Sequence, residues 1–173
     1  MTDLDKLQRV LAAEHAAVYA YGLIGARLSG SRRQQARAAF SAHRTRRDRL
    51  HAMIAEGGGT PVESSPSYRL PFPVSAPADA VRLAAHVEDR LSAAYLELVS
   101  ARDPALRRLA ALAMQECVTR GYSWRPAVPT ALPGMPARPS PSAQSAQPAR
   151  PQQDPSPAGD PASSDPSGPP PAN

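Results

Sequence analysis

Apolar residues recur along the first 125 positions at alternating steps of three and four, the period of an amphipathic helix. Leu4, Leu7, Leu11, Val18, Tyr21 and Gly25 form the first such stripe. It predicts a helix from about Asp3 to Leu28, capped by Thr2 or Asp3 and ended at Gly30, which suits a left-handed backbone. Ser31, with Gln34 three residues on, fits a capping box for a second helix, which Gly57-Gly58-Gly59 stops after Glu56. Its stripe reads Ala36, Phe40, His43, Arg47, Leu50, Ile54. A third helix, from near Pro77 to about Ala101, carries Val81, Ala84, Glu88, Leu91, Tyr95 and Leu98. Asp103-Pro104, a capping residue and a first-turn proline, opens a fourth that runs to Trp124 with the stripe Leu106, Leu109, Ala113, Glu116, Arg120, Trp124.

Residues 58–76 break the period, punctuated by Pro61, Pro66, Pro71 and Pro73. Extended, such a strap spans ~55–60 Å, whereas a helix of about 25 residues is only ~38 Å long. The strap therefore reaches from one end of a helical bundle to the other, with Tyr68, Leu70 and Phe72 alternating along it to lie on the helices. Short turns inside each helix pair make the partners antiparallel. The expected fold class is an all-α four-helix bundle of two antiparallel hairpins joined by one long crossover.

Composition divides the chain. Residues 126–173 hold 15 prolines in 48 positions and no aromatic residue. Such a stretch lacks the apolar mass to offset its ordering entropy, so a disordered Pro-rich tail is expected after a folded domain over 1–125. The domain carries 18 Lys+Arg against 12 Asp+Glu, a net +6, and the tail is −1. Lys6 is the only lysine, a bias that with the abundant Ala and Pro points to a GC-rich genome. The basic run His43 to Arg49 reads as a solvated helix face, so nucleic acid is not the expected partner, although RNA or a ribonucleoprotein stays open for a +6 domain. One cysteine, Cys117, allows no internal disulfide. No apolar run approaches the ~20 residues of a membrane span, and MTDLDKLQRV is charged and periodic, unlike a secretory leader. A cytoplasmic protein without membrane contact is expected.

Each helix puts one ligand-capable residue on its apolar stripe: Glu14, His43, Glu88 and Glu116. A carboxylate on a buried seam needs a partner or a metal, because an isolated buried charge is very costly. In an antiparallel hairpin, residues equidistant from the turn lie at one height. The midpoint of Glu14 and His43 is 28.5 and that of Glu88 and Glu116 is 102, both on predicted turns. The two hairpins also repeat each other. Tyr21 and Tyr95 each follow the Glu by seven residues, and Arg47 and Arg120 follow His43 and Glu116 by four. His15, His51 and His86 lie off the seam, Cys117 reads as a packed thiol, and Trp124 as a plug at the end of the core.

On these residues the chain resembles the ferritin-like superfamily, the di-iron carboxylate four-helix bundles, and more narrowly an uncharacterised ferritin-like domain of actinobacteria. The resemblance covers residues 3–125. It implies Glu on helices 1 and 3 and Glu-x-x-His on helices 2 and 4. Glu14 and Glu88 match. Phe40 stands where the helix 2 Glu belongs, and Thr119 where the helix 4 His belongs, so His43 and Glu116 remain alone on their helices. Four of six ligands could hold one metal, or two weakly, with iron, manganese or zinc suited to imidazole and carboxylates and Tyr21 and Tyr95 beside the site. Without metal, Arg47, Arg120 and protonated His43 balance the three carboxylates in a buried ion network. The expectation is a non-enzymatic binding or structural protein with a degenerate metal site, with a homodimer open to it, meeting a protein partner through its tail or basic face. The alternative is a metal-binding protein or oxidoreductase that oxidises Fe(II) with dioxygen at Glu14, His43, Glu88 and Glu116.

Overall fold

In a computed structural model the described residues, 1–125, form four α-helices: α1 (Asp3–Arg27), α2 (Gly30–Glu56), α3 (Pro77–Val99) and α4 (Pro104–Trp124). No strand occurs among them, and no described helix is long and apolar enough to cross a membrane. The tail expected over 126–173 lies outside the described residues.

Local chemistry sets the helix ends. Thr2 accepts from the Asp5 amide while Asp5 accepts from the Thr2 amide, a complete capping box. Gly30 turns the chain with φ +54°, a conformation costly for any residue with a Cβ. The expected Ser31–Gln34 box does not form: α2 begins at Gly30 after Ser29, which makes no side-chain cap. Asp79 accepts from the Ser75 and Ala76 amides ahead of α3, and Asp103 from the Ala105 amide ahead of α4. Asp3 accepts from the Arg102 and Asp103 amides, so the start of α1 fastens the α3–α4 turn.

α1 packs on α2 and α3, and α3 on α4. The pairings Lys6–Ser100 and Arg9–Glu97 run antiparallel for α1/α3, and Arg32–Ser123 with Arg46–Glu116 for α2/α4. The strap spans the bundle as its length requires. Thr60 and Val62 meet Gln8 in the first turns of α1, and Val62 also meets His15 at its middle. Tyr68 then packs on Tyr19, and Phe72 on His86 of α3. Leu70, Phe72 and Val74 pack against the buried cluster of Tyr21, Ile24, Leu83 and Trp124. A second cluster, with Leu11, Leu50, Leu91 and Leu98, fills the other end of the bundle. Between the two lie the polar side chains of the seam.

A candidate buried carboxylate–imidazole centre

Glu14, His43 and Glu88 converge at mid-bundle, each 0–1% exposed. His43 Nδ1 donates to Glu14 Oε2 at 2.8 Å and Nε2 to Glu88 Oε1 at 3.2 Å. Where both carboxyls are ionised they can only accept, so both ring nitrogens then carry hydrogen and His43 is an imidazolium. Burial alone would lower its pKa. The hydrogen bonds to and charges of Glu14 and Glu88 outweigh burial and hold it above the ordinary 6.5. Burial likewise pushes Glu88 up, but His43, Arg120 and Tyr21 hold it below the ordinary 4.5.

The two tyrosines cross over. Tyr21, on the helix of Glu14, donates to Glu88 Oε1 at 2.6 Å; Tyr95, on the helix of Glu88, donates to Glu14 Oε1 at 2.6 Å. Seven residues are two helical turns, so in antiparallel α1 and α3 each Tyr lies level with the other helix's Glu. Burial first, then the facing carboxylates, raises both phenols, which therefore remain donors. Tyr21 stacks on the His43 ring at 5.1 Å and accepts from Trp124 Nε1 at 3.0 Å. Trp124 is thus the expected plug and also an anchor for the centre.

The cations differ from expectation. Arg120 Nε reaches Glu88 Oε1 at 3.1 Å, as its place on the stripe suggests. Arg47 does not join; it pairs with its neighbour Asp48. Arg46 takes its place, with Nη1 3.7 Å from Glu14 Oε1, Nη2 on Glu116 Oε2, and its guanidinium 5.8 Å from the Tyr95 ring centroid. Positions 46 and 47 flank the His43 direction at about −60° and +40° on a helix of 3.6 residues per turn. Periodicity alone slightly favours 47, and the nearby Glu14 and Glu116 select 46.

Glu116 is not in the buried cluster. Its side chain is 53% exposed and sits at the rim, between Arg46 and Arg120 Nη1, the latter at 3.5 Å. The seam of α4 runs instead through Ala113 and Cys117. Burial first, then the Glu88 charge, raises the Cys117 thiol, which accepts from Arg120 Nη2 at 3.8 Å and stays an uncharged packing group. Among the described residues two buried side-chain atoms lack a hydrogen-bond partner, Glu88 Oε2 and Arg46 Nη1. Among the described residues, no group of three or more His, Cys, Asp or Glu is arranged to hold a metal ion. Each ring nitrogen of His43 is taken up by one carboxylate oxygen, of Glu14 and of Glu88. The remaining histidines are peripheral: His15 meets the Val62 carbonyl and His86 the edge of Phe72.

Fold and centre together define a four-helix bundle with a carboxylate–imidazolium–carboxylate bridge at its middle. The family model described as "Domain of unknown function (DUF4439)" matches residues 6–137, and the chain belongs to that family. The chain is also similar to a solved structure, a conserved hypothetical protein, Rv2844, from Mycobacterium tuberculosis. The two share 32% identity and a TM-score of 0.69 over 70% of this chain and 93% of that one. A comparison with curated proteins finds no match.

Proposed function

We propose that this protein is a ferritin-like bundle in which an ion network stands where that superfamily holds its metals, and that it serves as a non-enzymatic binding or structural protein. One observation carries the reading: His43 bridges Glu14 and Glu88 through both ring nitrogens. The charge count agrees. Glu14, Glu88 and Glu116 total −3, and His43, Arg46 and Arg120 total +3. A pair of divalent ions does not fit this donor set. Phe40 has no donor atom, the Thr119 hydroxyl donates to the Gln115 carbonyl, Glu116 lies at the rim, and two guanidiniums already supply cationic charge beside the carboxylates.

A second reading, a single iron or manganese ion, is favoured by Glu88 Oε2, buried and without a partner. Glu14, His43 and Glu88 would hold it, His43 giving up a proton, and the ion would supply redox chemistry. Metal analysis of protein prepared without chelator and then offered Fe(II) anaerobically separates the two. The network reading expects no stoichiometric metal, together with NMR signals of a doubly protonated His43 ring at neutral pH. One equivalent of metal that disappears in Glu14→Ala overturns it.

A further inference from the structure

On the other side of α1 and α3 from the helices α2 and α4, the strap roofs a groove of about 590 Å³, a volume usual for small-molecule sites. No residue of α2 or α4 lines it. The groove exists because facing helix surfaces are built from small side chains. Ala13, Ala16, Ala17 and Ala20 of α1 oppose Ala93 and Ala94 of α3 and leave room that larger residues would fill. Leu70 and Pro71 of the strap add apolar wall, and Tyr68, packed at 5.3 Å on Tyr19, forms an aromatic side. The Arg9–Glu97 bridge, at 3.2 Å, spans from α1 to α3 at one end. From Arg9 to Ala20 the α1 edge is ~16 Å long.

Its charges are uneven. Arg9 is neutralised by Glu97, but Arg69 of the strap and Arg90 of α3 also line the groove. Among the described residues neither makes an ion pair. An apolar trough with two unpaired guanidiniums at its lip complements a molecule with an apolar body and an anionic head.

We propose that this groove binds a single-chain anionic amphiphile, its tail along the alanine floor and its head on Arg69 and Arg90. The proposal is independent of what occupies the Glu14–His43–Glu88 centre.

Isothermal titration of the full chain with decanoate and with 1-decanol, each below the concentration at which it self-associates, tests it. Saturable binding of one decanoate is expected, at least about tenfold tighter than the alcohol, since a charge-assisted contact contributes ~1.5–3 kcal/mol. Arg69→Glu and Arg90→Glu change exposed residues and should abolish that preference without altering the melt. Ala16→Phe, which adds bulk at a half-buried groove position, should weaken acid and alcohol together. Equal affinity for acid and alcohol, or no saturable binding, overturns the proposal. So does a dimer in sedimentation velocity that Ala16→Phe dissociates, because the groove's occupant would then be a second copy of the chain.

Discussion

The two helical hairpins are near-copies in sequence and unequal in structure. Each supplies a buried Glu and a Tyr two turns later, and these four residues keep the symmetry, each phenol donating to the other hairpin's carboxylate at the same 2.6 Å. The next pair departs from it. His43 of the first hairpin is wholly buried between both carboxylates, while Glu116 of the second lies at the rim. The cation four residues on faces inward in α4 as Arg120 and outward in α2 as Arg47. Two buried carboxylates leave room for one central cation, and a third carboxylate beside them would add repulsion in a poorly solvated site. One hairpin therefore contributes the imidazolium, and the other sends its matching Glu outward to meet Arg46.

The largest effect that tests this asymmetry comes from His43. His43→Leu leaves Glu14 and Glu88 buried without the cation between them, and should cost about 3–5 kcal/mol in denaturant unfolding. The pH dependence should change in a defined sense. An imidazolium held above 6.5 contributes stability that is complete below pH 6.5 and lost as pH rises through its folded-state value. Glu88, held below 4.5, contributes above pH 4.5 and loses that contribution as pH falls through its folded-state value. Wild type should thus be most stable between about pH 4.5 and 6.5. His43→Leu should lose the first decline on the alkaline side. A decline that persists in the variant would assign it to another group.

The tyrosines give the intermediate test, of the symmetric part. Tyr21→Phe and Tyr95→Phe each remove a buried hydrogen bond to a charged carboxylate, worth ~1.5–3 kcal/mol. Tyr21→Phe should be the more costly because it also strips Trp124 Nε1 of its acceptor. Equal losses would mean that Trp124 acts only by packing.

How much of this was legible beforehand follows from the same geometry. Helix existence, the antiparallel hairpins and the strap were readable, because glycines, prolines and a three-and-four stripe are local signals. So was the level at which Glu14, His43 and Glu88 meet, which follows from distance from a turn; the same rule put Glu116 at that height without fixing which way it faces. What periodicity does not resolve is which of two adjacent residues faces inward when neither lies on the stripe axis. It pointed to Arg47 and Glu116, where the bundle uses Arg46 and Cys117. In both cases the neighbour decides. Arg46 finds Glu14 and Glu116 across the helix interface, and a small thiol joins the apolar cluster that also holds Leu91 and Ala113, where a carboxylate would need another partner. The hydrogen bond from Trp124 to Tyr21 carried no sequence signal beyond an aromatic residue at the helix end.

The smallest effects should come from the positions where the hairpin repeat fails. Glu116 is half-exposed, and its pairs with Arg46 and Arg120 lie partly in water, where such contacts contribute at most about 1 kcal/mol. Arg47 forms its ion pair with its exposed neighbour Asp48. Glu116→Gln and Arg47→Met should therefore each shift unfolding free energy by less than about 1 kcal/mol, several times less than His43→Leu. The comparison is sharp because the repeat assigns these residues the same rank as His43 and Arg120. If Glu116→Gln instead approached the cost of His43→Leu, the rim carboxylate would belong to the centre, and the charge balance would depend on Glu116 holding Arg46 against Glu14.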